Sequence, residues 1–137
     1  MNKHKVIGCL ACFSLVASGL LTLPVRAQSK YPDRPIRLII PYAPGGGTDI
    51  LERRFAHAVR PLLGQYIVSE NKAGANGVVG TAEAARAKSD GYTLLVGTVS
   101  TLVLNPTAMK NPPYDPVKDF APITVLGIFP IVIATNF

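Results

Sequence analysis

Both cysteines of this 137-residue chain, Cys9 and Cys12, fall in the segment 1–27, which also holds no Asp or Glu and three of the fourteen Lys and Arg. The segment that follows, 28–137, carries no thiol, so disulfides, thiolate metal sites and cysteine nucleophiles are excluded from it together. It also carries a single histidine, His57, and no run of carboxylates. Neither a zinc site nor a Ser-His-Asp arrangement has its parts, and no cofactor is implied. Basic charge is thin as well: with segment 1–27 set aside, eleven bases stand against eight acids and the formal charge falls from +6 to +3. No Lys/Arg stripe with interleaved aromatics occurs, which argues against nucleic acid as a partner. Repeats and low-complexity tracts are lacking. What remains is one domain, long enough to bury about two-thirds of the surface its unfolded chain exposes.

The segment 1–27 has the three-part form of a secretory signal: Lys3 and Lys5, an apolar stretch over 6–23, then small residues around Ala27. We expect cleavage after Ala27 and export of the remainder. An uncleaved anchor is the competing reading, because the stretch is about long enough to span a bilayer. Gly8, Gly19, Ser14, Ser18 and Thr22, followed by Pro24, favour cleavage. A lipoprotein modified at Cys12 fits less well, since Cys12 comes before the apolar stretch is complete.

Beyond the leader, strand and helix patterns alternate. Residues 36–40, IRLII, form a β-branched run suited to a buried strand, ended by Pro41. Pro44 and three glycines break the chain. Thr48 or Asp49 then stands where a helix cap is expected, and Glu52 follows Asp49 at nearly capping-box spacing. Leu51, Phe55, Ala58, Val59 and Leu62 lie on one face of a 3.6-residue period, and Gly64 is the stop. Pro61 should weaken the last turn. Residues 66–68 read as a second strand and 70–77 as a turn-rich loop. A second helix runs through Val78, Val79, Ala82, Ala85 and Arg86, Asp90-Gly91 closes it, and 92–96 form a third strand. Later strands are expected over 123–126 and 130–134. The unit is βαβαβ, which implies a parallel sheet with right-handed crossovers and ligand-facing loops at the carboxyl ends of its strands.

Those loops hold the candidate binding residues. Gly45 to Asp49 follow the first strand, Asn71 to Gly77 the second, and Gly97 to Thr101 the third. Consecutive glycines before a helix let backbone N–H groups approach an anion, and the helix N-terminus favours negative charge. The same glycines also serve a plain flexible connection. The Gly-Lys-Ser/Thr ending of a Walker loop is missing, and 74–80 has G-x-x-G-x-x-G spacing instead of a dinucleotide fingerprint. Asp49 reads better as a capping group than as a general base, and His57 as a solvent-exposed residue between arginines. Ser100 lacks a nucleophile elbow.

Five blocks, YPDRPIRL at 31–38, PYAPGGGTD at 41–49, ENKAGANG at 70–77, DGYTL at 90–94 and YDPVKDFAP at 114–122, occur in one order over nearly the whole of 28–137. Together they closely resemble the Bug family of periplasmic solute receptors, the substrate-binding components of tripartite tricarboxylate transporters. The resemblance implies a three-layer α/β lobe with a parallel sheet, part of a type II periplasmic-binding-protein-like fold. It also implies a non-enzymatic receptor that captures a small carboxylate or related organic solute and docks on membrane permease subunits. In the family, neutral loops at the mouth of the first lobe hold the ligand carboxylate. Carried over, those are Ala43 to Asp49, Asn76 with Gly77, and Thr98 to Ser100, with Asp49 positioning and not contacting the anion. Members of the family continue through a second lobe of similar size. We therefore expect 28–137 to be the first lobe alone, a truncated product with impaired capture, since one wall leaves a solute exposed. A partner-binding half-receptor and, less well supported, a small-molecule enzyme domain remain as alternatives.

Overall fold

The central strand is β1 (Ile36–Ile40), and Ile39 and Ile40 are fully buried within it. A computed structural model describes residues 30–130 and 132–135; the expected signal peptide at 1–27 lies outside the described residues. α1 (Gly47–Leu63) connects β1 to β2 (Ile67–Asn71). A 3-10 turn (Ala75–Gly77) leads into α2 (Val78–Ala85), and β3 (Thr93–Leu95) follows. A π-helical turn (Ser100–Leu104) and the short α3 (Asn105–Ala108) come next. The three strands are parallel in the order β2-β1-β3.

Register shows the layering. Ile36, Leu38 and Ile40 share a face with Ile67, Ser69, Asn71 and Leu94, because in-register neighbours point the same way and side chains alternate along a strand. α1 covers this face: Glu52 accepts a hydrogen bond from Ser69, and Asp49 one from Asn71. α2 covers the other, where its Glu83 pairs with Arg37, and Arg37 also holds Glu70 at 2.7 Å. The two carboxylates raise the Arg37 pKa, Glu70 first, and keep the guanidinium charged. Close packing of α2 rests on Gly80, where a Cβ would stand 2.7 Å from the Lys72 carbonyl oxygen and 3.0 Å from the Pro41 Cα. The outcome is the expected three-layer α/β lobe around Leu38, Ile40 and Val96.

Several local expectations are corrected. α1 starts at Gly47 with Gly46 as N-cap and no side-chain capping bond, so Thr48 and Asp49 lie inside the first turn. Glu52 reaches no backbone amide of a capping box; it is buried against the sheet. The apolar stripe of α1 is only partly covered, Leu62 being 84% exposed, whereas Asp49, Glu52 and Ala56 are buried. The strand face beneath α1 is polar at Ser69 and Asn71, and it recruits the polar side of the helix. Pro61 does not end the helix early; it continues to Leu63, where the Gly64 N–H donates to the Arg60 carbonyl. β2 extends through Asn71 into the segment expected as a loop, because Ser69, Glu70 and Asn71 each find a side-chain partner on another element. No strand forms at 123–126 or, among its described residues, at 130–134, since a strand needs a neighbour to pair with and none of the described strands pairs with this segment. This segment instead passes α1, with the Phe129 ring 3.5 Å from where a Gly47 Cβ would lie.

Candidate functional site at the strand ends

The chain leaves β1 toward β2 on one side of the sheet and reaches β3 on the other, so the strand order reverses between β1 and β3. At such a switch point the loops diverge and leave a crevice outside the carboxyl ends, the usual ligand position in open α/β sheets. Here the crevice is bridged by two hydroxyls: Tyr42, just after β1, and Thr98, just after β3, lie 2.6 Å apart.

The loop after β1 is exposed from Ala43 through Gly47, with Thr48 half-buried. The N-terminal amides of α1 open onto this loop, and those of Gly47 and Thr48 bond to no protein group among the described residues. Asp49, by contrast, is buried and fully engaged. Its carboxylate accepts from the Gly45 amide at 3.0 Å, Arg53 Nε at 3.0 Å and Asn71 Nδ2 at 2.9 Å. Arg53 above all, then the Gly45 amide and Asn71, hold its pKa down at about 2. A carboxylate so occupied pins the glycine turn to the helix, and Arg53 offsets its charge. Asn71 ties the assembly to the sheet by also donating to the Tyr42 carbonyl at 3.0 Å.

The second loop turns through left-handed residues, Asn76 at φ 53° and Gly77 at φ 89°. Gly77 is required twice over. Its φ disfavours any side chain, and a Cβ there would stand 2.6 Å from the Thr101 methyl. Asn76 is exposed and exchanges hydrogen bonds with Asn105, donating to its Oδ1 at 3.1 Å and accepting from its Nδ2 through the main-chain carbonyl at 2.9 Å. In the third loop Thr98 and Ser100 are half-buried and Val99 is exposed.

The structure thus gathers the three predicted loops around Pro41 and Tyr42, with Asp49 beneath the first loop and not in it. Tyr42 and Asn105 were not singled out from sequence, whereas Asn71 and Thr101 lie within the strand-end loops expected there but outside the contact set that the family resemblance implied. Tyr42 and Thr101 adjoin that set, but nothing local marks their bonds. His57 is exposed, as expected. Two open depressions lie elsewhere, one of about 550 Å³ between the end of α1 and the start of β2, and one of about 320 Å³ near Arg34 and Lys88. Neither includes a candidate loop. Among the described residues no three His, Cys, Asp or Glu side chains gather as a metal site, and no helix is long and apolar enough to cross a membrane.

Residues 51–136 match the family model described as the tripartite tricarboxylate transporter family receptor. The chain belongs to this family. It is a receptor family, not an enzyme family. Protein BugT of Bordetella pertussis is 38% identical over 137 residues, which is 99% of this chain and 41% of BugT. The solved periplasmic binding protein BugD is 44% identical with a TM-score of 0.65, over 68% of this chain and 31% of BugD. MatC from Rhodopseudomonas palustris with bound malate is 35% identical with a TM-score of 0.67, over 70% of this chain and 33% of MatC. The chain thus spans about two fifths of BugT and matches about a third of each solved structure, in keeping with one lobe of a periplasmic-binding-protein fold.

Proposed function

We propose that residues 28–137 are the first lobe of an exported receptor whose strand-end loops hold one carboxylate of a small organic acid. The observation that carries this reading is the Tyr42–Thr98 bridge across the β1/β3 switch point, together with the exposed loop from Ala43 to Gly47 that leads into α1. Contacts would come from backbone amides of Gly46, Gly47 and Thr48, from the turn at Asn76 and Gly77, and from the hydroxyls of Thr98 and Ser100. Ala43, Pro44 and Val99 would shape the rim. Neutral donors and a helix dipole attract an anion without an opposing side-chain charge. Pairing with Arg53 offsets the negative charge of Asp49, which would otherwise repel an anion. Malate in the related MatC is a solute of this chemistry.

Under this reading the segment 1–27 directs the chain to the periplasm and is removed, and the loaded receptor delivers its solute to permease subunits of the transporter. A small ligand is held tightly only when most of its surface is buried. These loops supply one wall, so the chain alone should bind weakly, with Kd on the order of millimolar, about −4 kcal/mol. Isothermal titration with malate and with its dimethyl ester tests the proposal. Millimolar binding of the diacid and none of the ester is expected; equal response to both would overturn a carboxylate site.

A further inference from the structure

Thr101 is fully buried, and no ligand-facing role falls to it. Its contacts nevertheless reach two of the three loops. Its hydroxyl accepts from the Thr98 amide at 2.9 Å and donates to the Thr98 carbonyl at 3.2 Å. Its methyl fills the space over Gly77, so that a Cβ on Gly77 would stand only 2.6 Å away. Its own carbonyl belongs to a π-helical turn, in which the Asn105 amide reaches five residues back to the Ser100 carbonyl. The Thr101 carbonyl accepts instead from the buried Tyr114 hydroxyl, at 2.5 Å across thirteen residues. π-helical turns leave backbone groups without their α-helical partners and recur at functional sites. Here one tyrosine from the loop-rich segment holds the turn in place.

We propose that Thr101, backed by Tyr114, is a positioning residue that sets the Thr98 hydroxyl and the Gly77 turn in one fixed relation. The two halves of the side chain divide the work. The hydroxyl fixes Thr98, which in turn meets Tyr42 across the switch point. The methyl fixes the turn at Asn76 and Gly77. The consequence for solute binding rests on the receptor reading above, whereas the coupling itself does not.

The division makes the inference testable by hydrogen exchange on the full chain, followed by NMR. Thr101→Val keeps the shape and removes the hydroxyl, Thr101→Ser keeps the hydroxyl and removes the methyl, and Tyr114→Phe removes the brace. The Thr98 and Gly77 amides report on the two loops. The Val96 amide, bonded to the Ile39 carbonyl in the sheet, reports on global stability. Losing one buried hydrogen bond should speed local exchange by up to about tenfold. Thr101→Val should therefore accelerate Thr98 with little change at Gly77, Thr101→Ser the reverse, and Tyr114→Phe both, each beyond any change at Val96. Unchanged exchange at Thr98 and Gly77 in all three variants, or changes that only follow Val96, would overturn the coupling. If one variant fails to fold, the other two still decide it. A malate titration of the parent chain is the separate arm. Shifts at Thr98 and Gly77 that weaken in Thr101→Val would join positioning to binding. No shift at either loop would refute the receptor reading and leave the exchange result to judge the coupling.

Discussion

Glu52 offers a direct test of how α1 is held to the sheet. Its side chain is fully buried; one carboxylate oxygen accepts from Ser69 at 3.0 Å, and the other has no hydrogen-bond partner among the described residues. Burial pushes its pKa above the ordinary value near 4.5, against opposing pulls from the Ser69 hydrogen bond and Arg53 and a further push from Asp49. An acid with a raised folded pKa binds its proton more tightly folded than unfolded. Its destabilising effect is therefore absent below the ordinary glutamate range and grows as pH rises from there through the folded value. Glu52→Gln keeps the shape and an acceptor for Ser69 but cannot ionise. Leaving a buried polar group unsatisfied costs about 1–3 kcal/mol, and more when the group is charged. The variant should match the parent at about pH 4 and exceed it by at least about 1 kcal/mol at about pH 8, which is about 4 °C in Tm for a domain of this size. Urea unfolding of both proteins at intervals across that range measures the difference. A difference that stays flat with pH, or a glutamine variant less stable at the alkaline end, would refute the reasoning.

Other expectations follow from the same contacts. Asp49, held at about 2 by Arg53, the Gly45 amide and Asn71, contributes stability above the ordinary aspartate range that is lost as pH falls toward 2. A carboxyl-carbon NMR titration should give a midpoint near 2, and one near the ordinary 3.8 would contradict the engaged carboxylate. Gly77→Ala combines a positive φ with a methyl clash and should cost about 1–3 kcal/mol or more in chemical denaturation; a loss under about 0.5 kcal/mol would mean that the turn relaxes freely. Ile39→Ala, at a fully buried position in the central strand, should cost about 2–5 kcal/mol. A smaller loss would place the core elsewhere.

The βαβαβ order was legible because the evidence for it is local: a β-branched run at 36–40, a 3.6-residue period to Gly64, and glycine breaks at each strand end. The same breaks located the three loops of the candidate site. What escaped reading depends on partners distant in sequence. Glu70 and Asn71 look like loop residues until Arg37 and Asp49 are seen to meet them. Glu52 itself looked like the far end of a capping box, and only the sheet face beneath it accounts for its burial. Thr101 and Tyr114 are thirteen residues apart, and their bond has no local signature. The apolar runs at 123–126 and, among its described residues, at 130–134 show the opposite error: composition suits a strand there, but a strand also needs an edge to pair with.

Amide shift mapping of the full chain during a malate titration tests the central claim most directly. The account predicts a millimolar, saturable response concentrated at Gly46 to Thr48, at Asn76 and Gly77, and at Thr98 to Ser100. A silent strand-end crevice would contradict it, and so would shifts gathered instead on the exposed arginines Arg34, Arg54 and Arg60.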